Sequence, residues 1–267
     1  MKVLIEKCKK KEIVMFNKKP IIKFVSTIPE LEKEEKLHPR PYKSFMPEWW
    51  ASIPNKLTNG EGTIKRCAGL ADLFSQAYVV PMWMETKVDF IDSKEVSIIK
   101  DNKFMFPEWE LHPSDQLLDH TNINIGNNIV THTLKVVSPW SIVLPKGYSV
   151  LQLPVFYHFE NRYSVIPGII DSDIFHEANI PLFIHNNNKT LYFKEGEPFV
   201  MYIPFKRSKF KHSILGKKDK IYDRLIEDAE LFFEIPKDQN PYRKLQKERD
   251  GGTLYKKNKN NRFEEKL

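Results

Sequence analysis

Apolar and polar residues alternate in short segments through the middle of the chain, a pattern typical of strands. Residues 136–205 form a series of such segments, broken by turns about every ten residues, which predicts a β-sandwich or barrel-like core. Residues 21–28 predict a strand that ends at Pro29, because proline has no N–H to donate to a neighbouring strand. Residues 79–99 predict a hairpin with its turn at 92–94.

Two segments repeat their apolar residues at helical spacing. The first covers residues 70–78, and the second covers residues 219–234. Asp219 is placed to cap the second helix and Pro236 to stop it. One face of this helix carries Ile221, Leu225, Ala229, Phe232 and Phe233. The stretch after Pro241 is polar and predicts a loose or partner-dependent tail.

The composition excludes several classes of protein. Apolar residues make up 41% and charged residues 29% of the 267 residues, so the chain is not a disordered one. No apolar run approaches the ~20 residues of a membrane helix. Two cysteines are too few for a disulfide framework, and the first residues do not resemble a signal peptide. We therefore expect no membrane association and a location in the cytoplasm, or in a virion assembled there.

The charge suggests nucleic acid as one candidate partner. The formal net charge is +7 and the isoelectric point about 9.1, with lysines concentrated near both ends of the chain. A basic surface of this kind is typical of proteins that bind an anionic partner. Here the lysines are mixed with acids and are not interleaved with regularly spaced aromatics, which favours solvated chain ends over a nucleic-acid site.

The most informative segment runs from Pro167 to Phe205 and contains an ordered set of short motifs. Gly168, Ile169, Ile170, Asp171, Ser172, Asp173 and Glu177 resemble the third motif of the dUTPase and dCTP-deaminase superfamily. The turn at 144–147, the proline at 154, the strand at 182–186 and the Gly-Glu turn at 196–197 match further positions in the same order. The resemblance covers about seventy residues.

This resemblance implies a mainly β protein with a β-clip, dUTPase-like barrel or sandwich core at residues 134–206. Residues 1–133 would then be an N-terminal α/β elaboration packed on the core, and residues 207–267 a C-terminal helix with a basic polar tail. Trimers are common in the superfamily, so a homotrimer is expected by analogy. A further protein partner is an open alternative.

A second resemblance is to an uncharacterised family of phage and bacterial proteins, which implies no known activity. It is carried by six short segments: residues 65–67, 78–83, 138–140, 145–148, 168–171 and 203–207.

The dUTPase resemblance implies a catalytic role for Asp171, at the position of the carboxylate that activates water. The companion groups are missing. The Arg-Ser of the phosphate motif is replaced by Val155 and Phe156, so no guanidinium remains there to hold a triphosphate. Ile174 replaces the tyrosine that packs beneath the deoxyribose, and Met201 replaces a glutamine. We therefore expect Asp171 and Asp173 to serve the turn through backbone hydrogen bonds rather than catalysis.

Other candidate site residues have weaker patterns. Around Asp171, the candidate binding residues are Asp173, Ile174, His176, Glu177, Pro154, Phe156 and Trp140. His176, Glu177 and His185 carry metal-ligating groups, but adjacent strand residues point to opposite faces, so no metal site is predicted. Cys67 follows two basic residues and precedes an apolar helix, which favours a buried packing role over a reactive thiol. The sequence does not identify a cofactor.

Three functions follow from these patterns. The first is a non-hydrolytic binding or assembly protein that keeps the fold and has lost nucleotide hydrolysis, with a virion-associated role if the chain is phage-encoded. The second is a divergent enzyme that acts on a nucleotide or other small molecule through Asp171, His176 or Cys67. The third is a basic nucleic-acid-binding protein.

Overall fold

The structure is a computed structural model, and it describes residues 19–91, 95–100, 109–120, 124–125, 128–185, 189–235 and 240–250. The strands are β1 (Lys23–Ser26), β2 (Arg40–Pro41), β3 (Tyr78–Pro81), β4 (Thr86–Phe90), β5 (Val96–Lys100), β6 (Trp109–Leu111), β7 (Asn124–Ile125), β8 (Asn128–Val137), β9 (Trp140–Val143), β10 (Tyr148–Leu153), β11 (Tyr163–Val165), β12 (Gly168–Ile170), β13 (Asn179–His185), β14 (Thr190–Phe193) and β15 (Pro198–Lys206).

The α-helices are α1 (Glu48–Ser52), α2 (Ala68–Gln76), α3 (Lys220–Glu234) and α4 (Pro241–Asp250). Short 3-10 helices lie at Pro29–Lys33, Glu35–Leu37, Tyr42–Phe45, Ile64–Arg66, Ser114–Gln116 and Leu118–His120. The predicted helix over 219–234 is confirmed, and the Asp219 side chain accepts a hydrogen bond from the Ile221 N–H at 3.0 Å. The predicted helix over 70–78 exists but begins and ends two residues earlier.

Antiparallel sheets make up most of the regular secondary structure of the described residues, which confirms the mainly β class. One five-stranded sheet has the order β12-β10-β15-β3-β2, and a second contains β11-β13-β8-β6 with β7 added to β8. A three-stranded sheet has the order β14-β4-β5, and β1 pairs with β9. Among the described strands each sheet is open at its ends, so the barrel form of the predicted core is wrong for this part of the chain.

The strands before residue 134 enter the same sheets as the later ones. β3 lies between β15 and β2, and β8 crosses the predicted boundary at 133/134. The large core cluster also combines both parts, with Trp83 and Val88 beside Leu182 and Phe199. The division of the chain at 133/134 and 206/207 stays a prediction.

The C-terminal part differs from the sequence expectation in two respects. Residues 241–250 form α4 instead of a loose tail, because Arg243 Nη1 donates to Asp72 Oδ1 of α2 at 2.6 Å and Gln246 donates to the same carboxylate. The apolar face predicted for α3 is not fully covered, since Leu225 is 59% and Phe233 81% exposed. The rest of the predicted tail, residues 251–267, lies outside the described residues.

Candidate functional site

The pairing of β10 with β12 places Ser149 beside Asp171. Val150 pairs with Ile170 in an antiparallel register, so Ser149, just before Val150, lies opposite Asp171, just after Ile170. The Ser149 hydroxyl donates to Asp171 Oδ1 at 2.6 Å. Arg207, which follows β15, brings its Nη1 to 3.0 Å from the same oxygen. Asp171 therefore has a hydroxyl and a guanidinium bound to one of its two carboxylate oxygens, Oδ1.

Asp173 is bound even more completely. Its carboxylate accepts the Gly147 backbone N–H at 2.8 Å, and Arg207 donates to both of its oxygens, from Nη1 at 2.8 Å and from Nη2. The backbone N–H of Arg207 in turn donates to the Gly147 carbonyl at 2.9 Å. Gly147 has φ +87°, a conformation that side chains disfavour, so this turn needs glycine. We call Gly147, Ser149, Asp171, Asp173 and Arg207 the turn cluster.

The turn cluster stabilises both carboxylates in their charged form. Hydrogen bonds from Arg207 and the Gly147 N–H lower the pKa of Asp173 to about 2. Hydrogen bonds from Ser149 and then Arg207 lower the pKa of Asp171 as well. A carboxylate with a lowered pKa is a poorer proton acceptor, so the geometry disfavours general-base chemistry at Asp171.

The predicted binding residues Pro154 and Phe156 lie beyond the far end of β10 from Asp171. Five residue steps separate Ser149 from Pro154, about 17 Å along a strand. There the Tyr42 hydroxyl donates to the Phe156 carbonyl at 2.6 Å, and Val155 and Phe156 pack against the cluster that contains Phe74. Within one chain, the structure does not bring these residues to Asp171.

The remaining predicted residues are scattered around the turn cluster. Trp140 is a core residue, 4% exposed, with its ring edge-on to His38 at 5.4 Å. Ile174 is 77% exposed, and Glu177 is also exposed. His176 Nδ1 lies 3.2 Å from the carbonyls of Ile142 and Ser172, which ties this ring to backbone.

His185 is buried at the end of β13. It contacts the Ser164 hydroxyl at 3.0 Å and the Asn161 carbonyl at 2.7 Å. Among the described residues, no three His, Cys, Asp or Glu side chains are grouped so that they could hold a metal ion. Cys67 is exposed at the residue before α2, so the expected buried packing role is wrong.

A second charged group was missed by the sequence analysis. Arg162 Nε and Nη2 donate to Glu160 at 2.9 and 2.6 Å, Nη2 donates to Glu197 at 3.0 Å, and Nη1 donates to the Tyr192 carbonyl. Burial raises the pKa of Glu197. We call Glu160, Arg162 and Glu197 the buried ion group. It borders a cleft of about 160 Å³ that also contains Pro154, Val155 and His158.

The backbone beside this cleft has an unusual conformation. Tyr157 and Phe159 have φ of 62° and 53°, in the left-handed region that favours glycine. The Trp49 indole donates to the Tyr157 carbonyl at 3.1 Å, which helps to hold the turn. The sequence signal that was available was a pair of charged residues, Glu160 and Arg162, within an otherwise aromatic and apolar segment.

Between β15 and α3 the chain has an extended arm, residues 208–219. Phe210 is 89% and Ile214 94% exposed. These two are the most exposed of the large apolar side chains among the described residues. The arm begins directly after Arg207, so the turn cluster fixes the place where it leaves the body.

Comparisons with known proteins do not show a family for this chain. No family model matches the chain, and no curated protein matches it. A search of solved structures finds similarity to a mutant dUTPase of phage phi11 of S. aureus, with 9% identity and a TM-score of 0.25. The match covers 42% of this chain and 98% of that one. The dUTPase-like arrangement of the core therefore stays a prediction.

No helix in the described ranges is both long enough and apolar enough to cross a membrane.

Proposed function

We propose that the protein is a non-hydrolytic binding or assembly protein with a dUTPase-like strand arrangement, and that copies of the chain associate with one another. The observation that carries this proposal is Arg207, which binds Asp171 and Asp173 together. The carboxylates at the positions that resemble a catalytic motif bind Arg207, the residue directly before the arm.

The missing phosphate groups support the loss of hydrolysis. Phosphoryl transfer needs cationic or metal stabilisation of the charge that develops on the phosphate oxygens. Val155 and Phe156 supply neither, and both pack into an aromatic cluster. Arg207 does not substitute for the missing arginine, because both of its terminal nitrogens donate to Asp173.

The arm supports association. Burying Phe210 and Ile214 against another copy would remove apolar surface from water, the main favourable contribution to most protein association. From the motif resemblances, we propose that three copies associate and that the protein has a virion-associated or infection-related role.

Two measurements test the proposal. Incubation with each deoxynucleoside triphosphate and Mg²⁺ should give no turnover above a protein-free control. Turnover that disappears in Asp171→Asn would contradict the proposal and favour the enzyme hypothesis.

Light scattering should show an oligomer that dissociates in the double variant Phe210→Asp with Ile214→Asp. The matched control is Ile91→Asp, because Ile91 is 59% exposed on a different loop. A monomeric wild type, or equal dissociation in the control, would contradict the assembly part of the proposal.

A further inference from the structure

The three-stranded sheet has an open face with an aromatic residue in it. Tyr192 on β14 pairs with Lys87 on β4, and Lys87 pairs with Ile99 on β5, so the three side chains form one row across the sheet. Tyr192 is 58% and Ile99 56% exposed. The neighbouring residues Leu191 and Phe193 face the core. The row is therefore a flat platform that the described part of the chain leaves open.

Basic residues surround this platform. Lys194 lies two residues after Tyr192 and so shares its face, beside Lys87 on the central strand. Lys100 pairs with Thr86 in the core-facing row and borders the groove at the end of the sheet. The Lys87 ammonium lies 5.9 Å from the centroid of the Tyr192 ring and donates to Asp89 at 2.6 Å. The described lining of the groove contains these three lysines and one carboxylate, Glu85.

The groove along this row has room for a ligand. Its volume is about 480 Å³, and its lining includes Glu85, Lys87, Ile99, Lys100, Tyr192 and Lys194. The Tyr192 backbone is held in place, because its carbonyl accepts a hydrogen bond from Arg162 of the buried ion group. A platform fixed in this way loses little conformational freedom when a ligand binds.

We propose that this groove binds single-stranded nucleic acid, with a base stacked on Tyr192 and phosphates beside Lys87 and Lys194. An exposed aromatic ring next to lysines provides the two contacts that such strands need, stacking and charge neutralisation. A duplex is excluded as the preferred ligand because its bases are already stacked on one another and do not present a face to Tyr192. The net charge of +7 adds a favourable long-range field.

This inference is independent of the proposed function, since it concerns another sheet and needs neither hydrolysis nor association. It also differs from nonspecific attraction to the basic C-terminal tail. Attraction to the tail does not involve Tyr192, so the contribution of stacking separates the two.

Fluorescence anisotropy of a labelled oligothymidylate of about 16 nucleotides, the upper end of common site sizes, tests the proposal. Tyr192→Ala should weaken binding roughly five-fold to 150-fold, the range for loss of one base–aromatic stack, while Tyr192→Phe should keep it. Lys194→Gln should reduce the slope of log affinity against log salt by about 0.7, the value for one phosphate contact on a single strand.

Matched controls lie elsewhere on the surface. Tyr242→Ala removes a tyrosine that is 46% exposed on α4, and Lys211→Gln removes a lysine of the exposed arm. Both should bind as the wild type does. Circular dichroism should show that Tyr192→Ala is folded, which is expected because the side chain lies outside the core.

Several results would overturn the proposal. One is wild-type affinity in Tyr192→Ala, which would assign binding to the tail or to general charge. Others are failure of the wild type to bind the oligonucleotide, or equal displacement of it by a duplex of the same length. Displacement by free thymidine monophosphate at equal nucleotide concentration would indicate a mononucleotide site instead.

Discussion

The turn cluster and the buried ion group each contain one arginine between two carboxylates, yet they affect proton binding in opposite directions. In the turn cluster Asp171 is 48% and Asp173 only 4% exposed, and hydrogen bonds lower the pKa of both aspartates. In the buried ion group Glu197 is only 19% exposed, and burial raises its pKa despite Arg162. The comparison shows that the balance between burial and hydrogen bonds to the carboxylate decides the direction of the shift. The bonds from Arg207 and the Gly147 N–H outweigh burial at Asp173, whereas burial outweighs Arg162 at Glu197.

The largest expected effect is the loss of Arg162. Arg162→Met leaves Glu160 and Glu197 partly buried without their partner, and it should lower the free energy of unfolding by about 2–3 kcal/mol, below the ~3–5 kcal/mol of a fully buried pair. Urea denaturation measures this. Combining Arg162→Met with Glu197→Met should recover part of the loss. Full stability in the single variant would show that the two carboxylates are better solvated than their burial indicates.

Loss of Arg207 should be smaller. Arg207→Met removes the partner of two carboxylates, but Asp171 retains the Ser149 donor and Asp173 retains the Gly147 donor. Arg207 is 36% exposed, and Asp173, although only 4% exposed, keeps the Gly147 donor, so the midpoint of thermal unfolding should fall less than in Arg162→Met. Adding Asp173→Asn to Arg207→Met should restore part of the lost midpoint. A greater loss in Arg207→Met than in Arg162→Met would reverse the comparison.

The pH dependence of stability should have opposite signs in the two groups. Asp173 has a pKa of about 2 in the folded protein against an ordinary 3.8, so its stabilisation is complete above about pH 4 and is lost as the pH falls toward 2. Glu197 has a raised pKa, so its ionisation destabilises the fold as the pH rises through its ordinary 4.5 and above.

Thermal unfolding across this range measures both effects. Asp173→Asn should flatten the acidic side of the profile, and Glu197→Gln should flatten the decline above pH 4.5. Glu61→Gln, at an exposed position, is the control and should leave the profile unchanged. Parallel changes in the first two variants would contradict the opposite signs.

The smallest expected effect is a change in the pKa of one carboxyl group, that of Asp171. Ser149→Ala removes the hydroxyl that donates to Asp171, so the pKa of Asp171 should rise toward its ordinary value. Carbon NMR of the Asp171 carboxyl group across the acidic pH range measures this pKa. Ser172→Ala is the control, because the Ser172 hydroxyl faces the Ile170 carbonyl at 3.4 Å. An unchanged titration in Ser149→Ala would assign the shift to Arg207 alone.

Local features of the fold were predictable from the sequence. Asp219 identifies the start of α3 because the cap is a contact between residues two apart. Strand spacing in residues 136–205 gives the β class because turns and alternation are also local signals. Open sheet ends and the position of β3 between β15 and β2 depend on pairing between distant segments, which alternation does not specify.

The candidate sites were predictable only in part. Asp171 and Asp173 are recognisable from their motif, but Arg207 lies 34 residues beyond Asp173 and reaches it only through the register of β10 with β15. Arg162 and Glu197 meet in the same indirect way, across 35 positions. Cys67 was expected to be buried and is exposed, because an apolar helix does not determine whether the residue before it faces inward.

The pairing of Val80 with Val200 has a consequence for synthesis of the chain. The two residues are about 120 positions apart, so β3 leaves the ribosome long before its neighbour β15 exists. Until then one edge of β3, with its apolar side chains, has no partner strand, and such edges promote aggregation. Long-range pairing of this kind also slows folding. Nascent chains that stop before residue 198 are therefore expected to need a chaperone to stay unaggregated.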